Sequence, residues 1–246
     1  MRLGKIIGKA AGAFAAVALV GLSACDGVDV RVNEGDGVPL SELDMSGDAP
    51  EGIVLAGPDT VVITTGEDFS VDVEGSQEAQ DNMRFSLEDG TFAVMREGDW
   101  SVGDGATINV TMPPPNTIVI AGSGSLTTDG LSSDADVTIA GTGSATATGV
   151  AADSLDVTIA GSGTLTASGT VGTLDLNVLG SGNANMADLQ VDNADVTIAG
   201  SGSAEFASDG AVEAQVMGSG TVRVSGSANC SVESMGSGTL VCDSGE

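Results

Sequence analysis

The residues able to do chemistry in this chain are mostly acids. It has no histidine and no tyrosine, three cysteines, and 35 Asp and Glu against 7 Lys and Arg. Without an imidazole there is no Ser-His-Asp or Cys-His nucleophile and no histidine-ligated zinc or haem, so an enzyme built on this sequence would have to work with carboxylates. Five acids recur at a fixed offset: Asp136, Asp156, Asp175, Asp195 and Glu213 each stand five residues before a glycine that opens a Gly-[Ser/Thr]-Gly triplet. If the repeats stack about 4.8 Å apart, as neighbouring strands do, these acids form a row whose adjacent members repel by about 1 kcal/mol even at the dielectric of water. Such a row is either a solvated acidic face or a site where calcium bridges successive carboxylates through oxygen ligands. Thr138, Thr158, Asn177 and Thr197, two residues further along, would form a polar ladder beside it. The repeat lacks the Gly-Gly-x-Gly-x-Asp pattern of calcium β-rolls.

The three cysteines divide by context. Cys25 follows a basic start (Met1 to Lys9), an apolar and small run (Ala10 to Leu22) and the tetrapeptide Leu22-Ser23-Ala24-Cys25. This resembles a bacterial lipoprotein signal ending in a lipobox. An ordinary signal cut after Ala24 would put bulky Leu22 where a small residue is wanted. Residues 1–24 are therefore expected to be removed, leaving Cys25 as an acylated first residue whose several chains anchor the protein to a membrane. Asp26 resembles the inner-membrane retention signal of some lipoproteins, so either membrane of the envelope stays open. Cys230 and Cys242 fall on inferred inward positions of consecutive coils, and in an oxidising envelope compartment they are expected to pair as a disulfide or to remain two small buried hydrophobes.

Removal of residues 1–24 leaves four cations against 35 acids, so nucleic acid is not an expected partner. Charge alone would favour disorder, but 41% hydrophobic residues and a mean hydropathy of +0.22 contradict it. With aromatics at only 2%, thin β layers filled by small aliphatics are expected.

What must position these residues is a repeat. The triplet recurs at Gly122, Gly141, Gly161, Gly180, Gly200, Gly218 and Gly236, at spacings of 18 to 20 residues. Each glycine follows an alternating stretch, which is the mark of a strand. Val137/Ile139, Val157/Ile159, Leu176/Val178, Val196/Ile198 and Ala214/Val216 form the inward positions before the corner. Leu126, Ala145, Leu165, Ala184, Ala204, Val222 and Leu240 form a second inward row after it. Glycine between the rows suits a turn where a Cβ would clash or where φ is positive. A period near 19 is too short for a propeller blade and carries no helical pattern, so it fits one coil of a β-helix with about three short strands. An antiparallel sandwich is the alternative architecture.

The domain plan is a signal peptide over 1–24, a flexible acidic tether over 25–52 and a β-helix over 53–246. Residues 53–120 of that β-helix form irregular first coils and 121–246 the glycine repeats. Val28, Val30 and Val32 alternate briefly and allow a capping element instead of a tether at that point. Phe69, Phe85, Phe92 and Trp100 belong to an N-terminal core, and Pro113-Pro114-Pro115 gives a rigid lead-in to the regular stack.

Strand-rich residues 53–120, the prolines and the glycine-punctuated lines DVTIAGSGTLTASG and DVTIAGSGSAEFAS together resemble the GIN domain, the auto-transporter adhesin head domain of many bacterial envelope proteins. The resemblance covers about residues 53–242. It implies an all-β, right-handed single-stranded β-helix and an adhesive or envelope role, and it supplies no catalytic residues.

The expected function is thus a non-catalytic, lipid-anchored envelope protein whose partners are the bacterial membrane through Cys25 and an envelope glycan or protein. The alternatives are a polysaccharide-active enzyme on a β-helix and a passive structural lipoprotein. A lyase of the pectate type needs a basic residue among calcium-binding carboxylates, and within the repeat only Arg223 is cationic, away from the acid row. The Gly-Ser-Gly triplet is no phosphate loop, because no Gly-Lys-Ser/Thr follows and no helix begins there. No cofactor is expected beyond calcium.

Overall fold

A computed structural model describes residues 37–97 and 105–244, the side chains of Asp243 and Ser244 apart. Cys25, the expected signal peptide and Trp100 lie outside the described residues.

The first strands are β1 (Gly52–Gly57), β2 (Thr60–Thr65) and β3 (Ser70–Glu74), followed by a short helix α1 (Gln77–Asp81). Then come β4 (Met83–Glu88), β5 (Thr91–Arg96), β6 (Thr107–Met112), β7 (Thr117–Gly122), β8 (Ser125–Thr128) and β9 (Asp134–Gly141). The repeats form β10 (Ser144–Gly161), β11 (Thr164–Gly180), β12 (Asn183–Gly200) and β13 (Ser203–Gly218), and the chain ends in β14 (Thr221–Gly226), β15 (Asn229–Gly236) and β16 (Thr239–Ser244). Together they make a β-solenoid of about 7 turns with about 19 residues per coil. From β7 onward every pairing is parallel and joins residues one coil apart, as in Val157 with Leu176 and Leu165 with Ala184. The long strands are two or three short ones run together around the coil, and the ladder slips at Ala147/Val150 and Thr166/Ser168, where the chain bends.

The inward rows fill the interior. Val137, Ile139, Leu155, Val157, Leu176 and Val178 are fully buried, and so are Leu126, Leu165, Ala184 and Val222 across the coil. Leu240 in the last coil is only partly buried. At every corner the first glycine of the triplet has φ between +122° and +135°. A Cβ there would meet backbone of the coil below, at 2.5 Å from the Gly141 oxygen in the case of Gly161. The second glycine is forced from inside, since a Cβ on Gly163 would stand 2.5 Å from the Ile139 side chain.

Residues 53–120 do not simply precede the stack in chain order. β1 lies between β5 and β7, and β2 between β6 and β8, all in parallel. The chain therefore builds its second coil first, leaves it through β3, α1 and β4, returns as an outer coil in β5 and β6, and then crosses over to β7. Antiparallel β3 on β6 and β4 on β5 close this end. Phe69 meets Phe92 edge-on at 5.2 Å and Phe85 stacks on Phe92 at 5.8 Å, forming the N-terminal core.

The expected tether needs correction over its described part. Val38 and Phe85 exchange both backbone hydrogen bonds, at 2.9 and 2.8 Å, while Leu40 and Leu43 pack against the core and Pro50 is buried. Leu40, Leu43 and Pro50, on either side of the polar stretch at 44–48, give residues 37–51 the apolar surface that docks on the capped end.

Candidate functional site

The candidate site is the outward face of β9 to β13. An alternating strand turns every second residue outward, and coil-to-coil register then stacks equivalent residues into columns. Asp136, Asp156, Asp175, Asp195 and Glu213 are successive register partners, so the five acids stand in one row, which ends at Thr117 on one side and Ser231 on the other. Thr138, Thr158, Asn177 and Thr197 form the neighbouring row, continued by Gln215 and Glu233. The rows touch: Thr138 Oγ1 donates to Asp136 Oδ1 at 3.1 Å and Asn177 Nδ2 to Asp175 Oδ1 at 2.7 Å.

Burial, with a smaller contribution from like charge, perturbs the titration of two of these acids. Asp136 is pushed above the ordinary carboxylate value, first by desolvation and then by the charge of Asp156, against a lowering by the Thr138 hydroxyl. Asp156 is raised by desolvation and by Asp175. Among the described residues no group of three or more Asp, Glu or Cys side chains converges as the ligand set of a metal ion does. What the row presents to a cation is a succession of pairs.

A third column escaped the sequence reading. Ser125, Ser144, Thr164, Asn183, Ser203, Thr221 and Thr239 are register partners just past the corner. They are linked at Ser203 Oγ to Asn183 Oδ1 (2.8 Å) and between the Thr221 and Thr239 hydroxyls (3.5 Å). The signal was available, because each stands three residues after the first glycine of a triplet and each is Ser, Thr or Asn.

At the far end Cys230 and Cys242 are joined as a disulfide with Cα atoms 6.6 Å apart. Cys230 is in register with inward Val212 and Cys242 with inward Val224, so both occupy inward rows. They sit in the same final coil, on either side of the Gly236 corner, rather than in consecutive coils. Val232 and Met235 are exposed here, where no further described coil covers the edge.

A solenoid with a glycine corner in every turn and a strand-built cap narrows the family, and the family model described as "Putative auto-transporter adhesin, head GIN domain" matches residues 49–228. The chain belongs to the GIN-domain family. Several solved structures share its fold. A "putative adhesin" of Bacteroides fragilis is 20% identical with a TM-score of 0.75, the match covering 80% of this chain and 93% of that one. A "putative lipid binding protein" of Parabacteroides distasonis is 20% identical with a TM-score of 0.63 over 80% and 93%. A "putative adhesin" of Parabacteroides merdae is 15% identical with a TM-score of 0.61 over 85% and 100%. No curated protein matches the chain.

The capped end of this GIN domain holds a buried ion pair that the sequence reading did not single out. Gly57-Pro58-Asp59 takes the corner position that Gly-Ser-Gly takes in later coils, Gly57 being in register with Gly122. Asp59, 1% exposed, accepts hydrogen bonds from Arg96 through both carboxylate oxygens and from the Ala106 amide at 2.8 Å. The carboxylate thereby ties the β1–β2 corner to the end of β5 and the start of β6. Arg223, by contrast, lies in register between Glu205 and Val241, on a different strand from the acid row.

Proposed function

We propose that this GIN domain is a non-catalytic display module, lipid-anchored through Cys25 to a bacterial envelope membrane, whose laddered outer face serves adhesion to an envelope glycan or protein. The observation that carries the reading is the set of columns. Acid, hydroxyl and amide groups repeat along a rigid parallel stack at one strand spacing, which suits an extended, repeating partner better than a single small substrate. Family membership supports an adhesin-type role, and the tetrapeptide at 22–25 supports the anchor. The test is to coat beads with the protein and measure retention on immobilised acidic and neutral envelope glycans while assaying the glycans for new reducing ends or unsaturated products. Retention without product is the expected result. Product formation would make the carboxylates catalytic and overturn the reading in favour of a polysaccharide-active enzyme.

The register of the acid row supports a second reading of the same face, in which calcium bridges successive carboxylates and relieves their repulsion. Its test is thermal unfolding at fixed ionic strength. Millimolar calcium should then raise the midpoint more than matched sodium chloride, and Asp156→Asn with Asp175→Asn should remove the difference. Equal midpoints reduce the row to a charged face.

A further inference from the structure

The column that passes through Ser125 does not stop at β8. Register carries it on through β2 and β6, so that Thr107, Thr60, Ser125, Ser144, Thr164 and Asn183 stand in one rank across the stack. Two residues further along the same strands a second rank runs through Asn109, Val62, Thr127, Thr146, Thr166 and Asn185. The residues between the ranks, Ile108, Val61, Leu126, Ala145, Leu165 and Ala184, are all buried, so both ranks face outward. The register does not slip anywhere between them.

Neither rank carries a charge, and all but Val62 are Thr, Ser or Asn. On a chain with 35 acids this is a marked exclusion. The acids return at its borders: the ranks continue into Glu74 and Asp72 of β3 on one side, and the second rank into Glu205 of β13 on the other. In the first rank the Thr60 and Ser125 hydroxyls share a hydrogen bond of 3.1 Å. In the second, the hydroxyls of Thr127, Thr146 and Thr166 have no partner among the described residues.

The face is thus a net of uncharged polar groups, with rungs about 4.8 Å apart and outward residues about 6.7 Å apart along each strand. A dissolved partner would have to strip water from these hydroxyls in exchange for hydrogen bonds of nearly equal worth. It would find no charge and no aromatic ring to add to them. A partner made of water needs no such stripping. We infer that this face binds ice. Hexagonal ice presents its oxygens in rectangular nets of similar mesh, so waters seated on the hydroxyls and amides of the two ranks join its lattice, and the threonine methyl groups fill the openings between them. A carboxylate in either rank would orient water about its own charge and break that order, which gives the exclusion of acids a physical reason. The inference is independent of the acid row and of the anchor.

The experiment grows ice slowly on a cold finger from a dilute solution of the full chain mixed with an unrelated acidic protein of similar size, and measures the share of each in the ice. The chain is expected to be enriched at least fivefold over its companion. Thr146→Glu with Thr166→Glu, placed in the middle of the net, should remove that enrichment; the same rank already holds Glu205, so the fold accommodates the change. Should the pair lose its β-sheet circular dichroism, Thr166→Glu alone makes the test at an exposed position, with at least a twofold loss expected. Asp156→Asn with Asp175→Asn, on the other face, should enter the ice as the parent does. Rejection of the parent to the companion's level, parent-like uptake of the Glu variants, or equal loss in the Asn pair would each overturn the inference. Loss of glycan retention in the Glu variants, with the parent rejected by ice, would overturn it in favour of a neutral glycan on this face.

Discussion

Gly161 stacks directly over the carbonyl oxygen of Gly141: a Cβ on Gly161 would stand 2.5 Å from that oxygen, which itself accepts the Ser162 amide at 2.9 Å. The corner therefore couples one coil to the next through backbone alone, and the same relation recurs from Gly141 to Gly236.

Gly161→Ala should destabilise the domain by about 3 kcal/mol, the combined scale of a strained φ and a forced overlap. Gly47→Ala, where nothing lies within 4 Å, should change stability by less than about 0.5 kcal/mol. Denaturant unfolding of the two variants checks the contrast.

Arg96→Met should cost about 3–5 kcal/mol, because it leaves the Asp59 carboxylate buried with the Ala106 amide but without its charge partner. Arg223→Met, exposed on the repeat face, should cost less than about 0.5 kcal/mol. Comparable losses in both, measured by denaturant unfolding, would contradict the role given to the buried pair.

These two sites also mark what a sequence can encode legibly. Inward rows such as Val157/Ile159 and the corner glycines repeat every 18 to 20 residues, so their meaning is local and the same in each coil; the acid row follows from one offset. The insertion of β1 and β2 between two later coils has no such periodic sign, because it is decided by backbone pairing between segments far apart in the chain. Asp59 is one of 35 acids and gains its meaning only once Arg96 and the Ala106 amide are brought to it. Helix α1 is five residues long, with Ser76 Oγ capping the Ala79 amide, too short to leave a helical period. Leu40 and Leu43 among polar neighbours read as linker until the surface that receives them is formed.

Asp136→Asn should stabilise the protein at neutral pH by about 1 kcal/mol or less, the scale of one close carboxylate pair in water. The folded pKa values of Asp136 and Asp156 lie above their unfolded ones, so the native state holds these protons to higher pH than the unfolded chain does. Their contribution is most favourable below the unfolded value, and stability falls as pH rises through the raised values. The advantage of the Asn variant should accordingly vanish near pH 3 and shrink in about 1 M salt. Denaturant melts of parent and variant at both pH values test this, and destabilisation by Asn at neutral pH would contradict it.

Cys230→Ser with Cys242→Ser should loosen the final coil by about 3 kcal/mol, the scale for a loop this short. Because each coil contacts only its neighbours, the effect should stay at that end. Amides of β15 and β16 are expected to exchange on the order of a hundredfold faster, with those of β9 to β11 unchanged. Uniform acceleration along the stack would contradict nearest-neighbour stability.

Display from a membrane through Cys25 is the central element of the proposed function. Expression in a bacterium fed a labelled fatty acid, followed by fractionation, measures it directly. The parent chain should carry the label, lose residues 1–24 and sediment with membranes, while Cys25→Ser should be unlabelled and released in soluble form. Labelling and membrane retention that persist in Cys25→Ser, or an unlabelled parent, would contradict the account.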